Sequence, residues 1–347
     1  MTYFSKNINA MSGYEPGEQP LGAEVIKLNT NENPYPPSPA ALDILRNLDT
    51  ELLRRYPDPM AGHFRDAVSQ VLNIPTDWIL VGNGSDDLLT MITRACANSS
   101  RTIVYPTPTY VLYRTLAQIQ DAEFVEVPYN DDYNLPFEQL IAAKGAITFI
   151  ASPHSPSGAA VPVAVLNDLA TQLSGLLIVD EAYIDFAEEN ALELVKHNNV
   201  IVLRTLSKGY SLAGLRLGFC IANPALLAGL IKVKDSYNVD AIACRVGAAA
   251  IKDQDYKIAN AQKVKVSRTK LANDLKQLGF HVWSSQANFL LVRSPNNDAS
   301  FLYQKLKTQG ILVRYFNQPQ LKDKLRITIG TNEQNDLLVK LLAQLVA

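Results

Sequence analysis

The stretch that decides the fold is Leu176-Leu177-Ile178-Val179-Asp180-Glu181-Ala182-Tyr183. Four apolar residues followed by carboxylates are typical of a buried strand that ends at Asp180. Similar short apolar runs, bounded by Gly, Pro, Asn or Ser, occupy residues 79–81, 101–105, 124–127, 146–151, 200–203 and 217–221. Segments with helix-start signals separate these runs, for example at Ser85 and at Asn223-Pro224. This alternation predicts an α/β fold with a large, mostly parallel sheet covered by helices on both faces.

The pattern changes outside this region, which indicates more than one domain. At ~150 residues per domain, 347 residues predict about two domains. A segment with helical spacing, 241–278, precedes alternating short strands and helices, as in a smaller α+β domain. Residues 1–35 are rich in Gly, Pro and Asn. We therefore predict an N-terminal arm (1–35) packing with the small domain, a large domain (36–240), and a small C-terminal domain (241–347) that includes a long connecting helix.

The composition argues against several classes of protein. Hydrophobic residues make up 47% and charged residues 19%, the balance of a globular protein with a sizeable core. Thirty-two Lys and Arg against 34 Asp and Glu give a net charge of −2, so no overall field draws the chain to nucleic acid or anionic membranes. The basic face of segment 241–278 lacks interleaved aromatic residues, and we interpret it as a solvated helix surface.

The cysteines and the N-terminus bear on the cellular compartment. Cys96, Cys220 and Cys244 are odd in number and form no C-x-x-C pair, which argues against a disulfide framework or a thiolate metal site. No apolar run is long enough to span a bilayer, and residues 1–14 lack the pattern of a signal peptide. We therefore expect a cytoplasmic protein that binds neither membranes nor nucleic acid.

Lys208 is the first residue that suggests chemistry. It follows the apolar run 200–203 closely, in the sequence Thr205-Leu206-Ser207-Lys208. A buried ammonium loses hydration, so its pKa falls and the free amine can attack a carbonyl to form a Schiff base. Taken alone, a lysine at a strand end more commonly extends into solvent, and only the neighbouring motifs favour the reactive amine.

Asp180 is the second such residue. The carboxyl ends of parallel strands line the ligand crevice of an open α/β sheet, so Asp180 is expected to face a site. A carboxylate there can keep a pyridine nitrogen protonated, which makes the ring an electron sink. By itself Asp180 could also be a helix cap or an ion-pair partner.

A phosphate seat is the third element. Residues 82–87 read Gly-Asn-Gly-Ser-Asp-Asp, a glycine-rich turn between a strand and a helix, whose N-terminal N–H groups attract anions. Asp87 stands where the dinucleotide fingerprint needs its third glycine. Ser207 and Arg216 can complete the phosphate clamp.

An amine, an acid and a phosphate seat together match pyridoxal 5′-phosphate. Other chemistries find less support, because the four histidines lack metal-ligand spacing and neither a G-x-S-x-G motif nor a cysteine nucleophile motif is present. We therefore expect no metal.

At this level of detail the chain resembles the fold type I pyridoxal-phosphate-dependent aminotransferases, and most closely the histidinol-phosphate aminotransferase family. The motifs that carry the resemblance extend along almost the whole sequence, at residues 14–17, 27–34, 56–59, 82–86, 106–110, 179–183, 207–208, 216, 286–289, 313–314 and 325–328.

The resemblance implies roles for the cofactor-binding residues. Lys208 forms the Schiff base and moves the proton at the reacting carbon, Asp180 pairs with the pyridine nitrogen, and Tyr183 donates to the cofactor O3′. The other implied cofactor contacts, by ring stacking or to the phosphate, are Gly84, Ser85, Asp86, Tyr110, Ser207, Arg216 and, from the neighbouring subunit, Tyr56. The contribution of Tyr56 across an interface implies a homodimer.

The resemblance also implies a substrate site. Arg326 corresponds to the arginine that binds the amino-acid carboxylate, and Tyr14, Asn31 and Arg314 lie where the family contacts substrate. Alternatively, the last three could simply tie the arm to the small domain.

One motif departs from the family pattern. Residues 152–158 read Ser-Pro-His-Ser-Pro-Ser-Gly, so Ser155 stands where the family has an asparagine that bonds the cofactor O3′, and the resemblance makes Ser155 the implied cofactor contact at this position. This leaves Tyr183 as the chief O3′ donor, with His154 or a water as alternatives that could compensate. Asp87, where glutamate is usual, is a milder change.

The activity that the resemblance implies is transamination in histidine biosynthesis. Histidinol phosphate and 2-oxoglutarate would give imidazole acetol phosphate and glutamate, with Lys208 as the general base. An aromatic amino-acid aminotransferase or a threonine-phosphate decarboxylase on the same scaffold is the nearest alternative. A regulatory module of the kind found in some transcription regulators is disfavoured, because residues 1–34 have neither the length nor the helical pattern of a DNA-binding domain.

Overall fold

The architecture comes from a computed structural model, which describes residues 3–13, 18, 25–296 and 298–346. Its strands are β1 (Ile26–Leu28), β2 (Ile79–Gly82), β3 (Ile103–Thr107), β4 (Phe124–Pro128), β5 (Ile147–Ala151), β6 (Leu176–Asp180), β7 (Val200–Thr205), β8 (Gly218–Ala222), β9 (His281–Val282), β10 (Phe289–Arg293), β11 (Ile311–Tyr315) and β12 (Lys324–Thr328). Its helices are α1 (Lys6–Ala10), α2 (Pro39–Arg46), α3 (Thr50–Arg54), α4 (Gly62–Leu72), α5 (Gly84–Cys96), α6 (Leu112–Ile119), α7 (Phe137–Ala142), α8 (Val163–Gln172), α9 (Pro224–Ile231), α10 (Ala241–Lys252), α11 (Gln254–Gln277), α12 (Ala299–Thr308) and α13 (Asn332–Val346).

The larger sheet confirms the predicted fold class. Within the described residues it has seven strands in the order β2-β8-β7-β6-β5-β3-β4. Only β8 runs against the others, because it pairs antiparallel with both β2 and β7. Every strand predicted between residues 79 and 221 is present, with its ends within two residues of the prediction.

The central strands are mostly apolar because both faces of the sheet are buried. Leu177 and Val179 of β6 face one core, which also contains side chains of α4, α8 and α10. Ile178 faces a second core on the opposite side, together with side chains of α5, α6 and α9. Alternate residues of one strand therefore enter different cores, which explains the continuous apolar run.

A smaller sheet has the strand order β1-β11-β12-β10-β9. Strand β1 pairs in parallel with β11, whereas the other neighbours are antiparallel. A third core lies beneath this sheet and includes apolar side chains of α11, α12 and α13. Residues 26–28 are thus part of the same sheet as β11, although they are distant in sequence.

The segment predicted as one long connecting helix is divided in two. Helix α10 ends at Lys252 and α11 begins at Gln254, because the Asp253 side chain accepts a hydrogen bond from Tyr256 N and caps the second helix. Helix α10 packs in the core shared with α4, and α11 packs in the third core. The predicted domain limits at 1–35, 36–240 and 241–347 stay predictions, and we propose that the junction lies nearer to Asp253.

Candidate active site

One cavity of about 590 Å³ brings most of the predicted site residues together. It lies at the carboxyl ends of β5, β6 and β7, where Ala151, Asp180 and Thr205 form part of its wall, and side chains from β11 and β12 form the opposite side. The predicted site residues that line this cavity are Asn31, Ser85, Asp86, Tyr110, Ser155, Asp180, Tyr183, Ser207, Lys208, Arg216, Arg314 and Arg326. Tyr14 lies outside the described residues.

Lys208 follows β7 and is half-buried in the cavity wall. Its Nζ donates a hydrogen bond to the carbonyl oxygen of Thr30 (3.2 Å) and lies 5.9 Å from the centre of the Tyr183 ring. The amide of Asn33 donates to the carbonyl oxygen of Lys208 (3.1 Å). The segment around residues 30–33 therefore holds both the backbone and the amine of this lysine.

Asp180 is the last residue of β6 and is only 5% exposed. Its Oδ1 accepts a hydrogen bond from Ala182 N (3.1 Å), and its Oδ2 accepts one from the Tyr113 hydroxyl (2.8 Å). Burial raises the pKa of Asp180 to about 6, although both hydrogen bonds act in the opposite direction. The acid is therefore buried, but it is not left without donors.

Tyr183 is held by a residue from the N-terminal segment. The Asn31 side-chain amide donates to the Tyr183 hydroxyl (2.9 Å), and the Asn31 backbone adopts a left-handed conformation (φ 58°) that asparagine tolerates. Asn288 Nδ2 donates to the carbonyl oxygen of Asn31 (3.0 Å), which fixes this loop. Because the Asn31 amide is the donor, the Tyr183 hydroxyl proton can point towards a ligand.

The predicted phosphate seat forms where α5 begins. A Cβ on Gly84 (φ +79°) would lie 2.7 Å from Arg216 Nη2, so only glycine allows the guanidinium to approach the turn. Arg216 Nη2 donates to Asp86 Oδ2 (3.0 Å), and the Ser207 hydroxyl accepts from Thr205 (2.9 Å). A guanidinium, a hydroxyl and a helix N-terminus at one point form a binding site for an anion.

Two arginines converge at the other end of the cavity. Arg314 of β11 and Arg326 of β12 are register partners, and both guanidinium groups lie 5.3–5.6 Å from the centre of the Phe316 ring. Arg326 also donates to the Asn29 carbonyl oxygen (3.0 Å) and to the Ser155 hydroxyl (3.0 Å). This end of the cavity is suited to an anionic part of a substrate.

The contacts of His154 show whether this residue can replace the asparagine that is missing at position 155. His154 is fully buried, its Nε2 donates to the Pro108 carbonyl oxygen (2.9 Å), and its Nδ1 accepts from the Ser157 hydroxyl (2.7 Å). Burial lowers the pKa of His154 to about 4, so the ring is neutral. Both ring nitrogens are engaged, and His154 is not one of the described residues that line the cavity. It therefore does not compensate for the missing asparagine.

Two predicted residues do not line the cavity as far as the chain is described. Gly84 acts by allowing Arg216 to approach, as described above. Tyr56 is 83% exposed and stacks on Tyr237, with ring centres 4.7 Å apart. Its role at the site of a neighbouring subunit stays a prediction.

Sequence reasoning missed several residues at this site. The most informative is Tyr113, which bonds Asp180 and lies three residues after Tyr110. That spacing, near the start of an amphipathic helix, was the available signal. Asn29, Thr30 and Thr109 line the cavity, and each has a buried side-chain oxygen with no hydrogen-bond partner among the described residues.

The fold and the site together define the class of protein. Residues 23–342 match the family model for aminotransferase class I and II, so the chain belongs to that class. It is 62% identical, over 99% of its length, to histidinol-phosphate aminotransferase 1 of Trichormus variabilis, covering 99% of that protein. A Nostoc protein of the same name is also 62% identical, with 99% of this chain and 98% of that protein covered. Within the class, the chain belongs to the histidinol-phosphate aminotransferase family.

A solved structure supports the same conclusion. Histidinol-phosphate aminotransferase from Sinorhizobium meliloti, in complex with pyridoxal-5′-phosphate, superposes with a TM-score of 0.90 at 26% identity. The match covers 100% of this chain and 98% of that one.

In the described part of this chain, none of the helices is both long and apolar enough to cross a membrane. The same residues contain no cluster of three His, Cys, Asp or Glu side chains that could hold a metal ion.

The burial of Asp180 predicts a pH dependence in the cofactor-free protein. Its folded pKa of about 6 exceeds the value of about 3.9 for an unfolded aspartate, so the folded state binds this proton more tightly. Ionisation of Asp180 therefore lowers the free energy of unfolding as the pH rises from about 4 to about 6. Asp180→Asn removes this titration. Between about pH 4 and about pH 6, we therefore expect the free energy of unfolding of the variant to increase by up to about 3 kcal/mol relative to that of wild type. Urea unfolding of both proteins measures this, and parallel pH curves would contradict it.

Proposed function

We propose that this chain transfers an amino group from histidinol phosphate to 2-oxoglutarate, giving imidazole acetol phosphate and glutamate. It is a pyridoxal-phosphate-dependent transaminase of histidine biosynthesis. The observation that carries the proposal is one cavity lined by an amine (Lys208), a buried acid (Asp180) and an anion seat, with two arginines at its other end. The full-length identity of 62% to curated relatives supports the named substrates.

The residues of the cavity fit this cofactor. Its phosphate requires an anion site, which the first turn of α5, Ser207 and Arg216 offer. Its ring nitrogen requires an acid, and its aldehyde requires an amine. We propose Tyr110, which lines the cavity as well, as the side chain that stacks on the ring.

The chemistry divides between cofactor and protein. When bound, the cofactor supplies a protonated pyridine ring that accepts electron density when the Cα–H bond of the substrate breaks. We propose that Lys208 would hold the cofactor through its amine, and that this amine, released when the substrate amino group takes its place, would move the proton between the substrate Cα and the cofactor C4′. Asp180 keeps the ring nitrogen protonated, and the Tyr183 hydroxyl, oriented by Asn31, donates to the O3′ oxygen.

The two half-reactions place different anions at the arginine end. Histidinol phosphate carries a phosphate and no carboxylate, whereas 2-oxoglutarate and glutamate carry two carboxylates. We propose that Arg326 binds the amino-acid carboxylate of glutamate. Arg314 would help to bind the other anionic group, which is the second carboxylate of glutamate or the phosphate of histidinol phosphate. Ser155 and the Asn29 carbonyl oxygen then hold the Arg326 guanidinium in position. Tyr14 and Asn31 remain proposed substrate contacts.

We also propose a cytoplasmic homodimer that shares its active sites. The exposure of Tyr56 supports this assembly, since an aromatic side chain that is 83% exposed lies outside its own cavity. In the dimer Tyr56 would reach the cofactor phosphate of the neighbouring subunit.

Comparison of amino donors tests the proposed function. We expect kcat/KM for histidinol phosphate to exceed the values for phenylalanine and threonine phosphate by at least about 10-fold. Lys208→Ala should abolish both turnover and the visible imine absorbance, whereas Lys252→Ala, on the exposed face of α10, should change neither. A higher value for phenylalanine, or decarboxylation of threonine phosphate, would assign the alternative activity on this scaffold. Retention of absorbance and turnover by Lys208→Ala would overturn the assignment altogether.

The contact between Ser155 and Arg326 predicts a selective effect. Ser155→Ala removes the hydroxyl that accepts from the guanidinium, a net loss of about 1 kcal/mol, so the KM for glutamate should rise about fivefold. The visible spectrum of the bound cofactor should not change. Ser100→Ala, a surface serine whose hydroxyl donates to Asn98, serves as the control. A spectral change in Ser155→Ala without a change in KM would instead assign Ser155 to the cofactor.

Subunit exchange tests the shared site. Tyr56→Ala and Lys208→Ala proteins should each lose most of their activity. In a mixed dimer, one site combines the intact Lys208 of one subunit with the intact Tyr56 of the other. Equal mixing should therefore restore about a quarter of the wild-type activity. If activity does not return once exchange is complete, Tyr56 does not serve the partner's site.

A further inference from the structure

Tyr113 is a buried tyrosine whose hydroxyl forms a hydrogen bond with Asp180, the acid of the site. It is on α6, is completely buried, and donates its hydroxyl hydrogen to Asp180 Oδ2 (2.8 Å). Its ring stacks on Phe149 of β5, with ring centres 4.8 Å apart and planes within 9°. These contacts fix the ring, so the direction of the hydroxyl is determined by packing rather than by solvent.

The chemistry of the pair determines the direction of the hydrogen bond. Burial and the charge of Asp180 raise the pKa of Tyr113 far above its ordinary value, so the phenol keeps its proton throughout the working pH range. A protonated phenol that donates to a carboxylate stabilises the ionised form of that carboxylate. Tyr113 therefore opposes the effect of burial on Asp180.

The surroundings of Asp180 make this support necessary. Asp86 on α5 and the adjacent Glu181 are both acidic and favour its protonation. Glu181 is itself buried and forms an ion pair with Arg204 (2.8 Å). The hydrogen-bond donors to Asp180 among the described residues are Tyr113 and the Ala182 N–H. Lys208 is a further charged group that lines the same cavity as Asp180.

We propose that Tyr113 is a positioning residue that keeps the Asp180 carboxylate ionised and directed into the cavity. The inference rests on the proposed function, in which Asp180 faces the pyridine nitrogen. A neutral acid at this position would not hold the proton on that nitrogen, and the ring would become a poorer electron sink.

Tyr113 also contacts Tyr110, a residue that lines the cavity. Tyr110 precedes α6 by two residues and lines the cavity, and its ring meets the Tyr113 ring edge-on at 5.8 Å. Tyr113 N donates to the Tyr110 carbonyl oxygen (3.2 Å), which closes the turn between them. One turn of chain therefore provides both the proposed stacking side chain and the support for the acid.

Tyr113→Phe tests the proposal, because it removes the hydroxyl and leaves the ring. We expect the pH at which Asp180 titrates to rise in the cofactor-free protein, as followed by urea unfolding. In the loaded enzyme we expect kcat to fall about 10-fold with little change in KM, and cofactor affinity to fall about 10-fold. Tyr105→Phe is the matched control, since Tyr105 belongs to the same aromatic cluster but donates to Glu126. It should change none of these quantities.

A double-mutant cycle separates a specific role from a structural one. In the Asp180→Asn background Tyr113→Phe should have no further effect on cofactor affinity or kcat, because the carboxylate through which it acts is gone. Equal losses in both backgrounds, unchanged titration and affinity, or failure of Tyr113→Phe to fold would each overturn the proposal. The titration and the affinity need no amino donor, so failure of the proposed substrate in wild type is recognised separately.

Discussion

An ionised carboxylate buried at the end of the central strand is the constraint on which this site depends. Asp180 loses most of its hydration in the wall of the cavity, and isolated burial of such a charge costs several kcal/mol. The cost is offset by two aligned donors, the Tyr113 hydroxyl and the Ala182 N–H. The first requires α6 to pack closely on the sheet, and the second requires the turn that follows β6. Packing and chemistry are therefore coupled at this residue.

A short polar segment joins the two sheets around the cavity. Asn29 bonds Arg326 through its carbonyl oxygen, Thr30 accepts from Lys208, Asn31 donates to Tyr183, and Asn33 donates to the Lys208 carbonyl. This segment continues from β1, which is paired with β11 of the smaller sheet. The position of the smaller sheet relative to the reactive amine is thus set by hydrogen bonds from four of the five residues 29–33.

The departure at Ser155 is accommodated by the surrounding residues. A serine is too short to repeat every contact of an asparagine, and here its hydroxyl accepts from the Arg326 guanidinium. Tyr183, with its own orientation set by Asn31, is then the proposed donor to the cofactor O3′. The neighbouring His154 is neutral and engaged on both nitrogens, so it stabilises the loop rather than the ligand.

The sequence by itself determined what local patterns encode. Each buried strand from β2 to β8, the glycine turn before α5, Lys208 and Asp180 could be predicted, because burial periodicity and turn chemistry act over a few neighbouring residues. Only the tertiary structure determined which residues bond to each other across the site. Tyr113 and Asp180 are 67 residues apart, Asn31 and Tyr183 are 152 apart, and Ser155 and Arg326 are 171 apart. The break at Asp253 also escaped prediction. Such contacts depend on how whole elements pack, which no local pattern specifies.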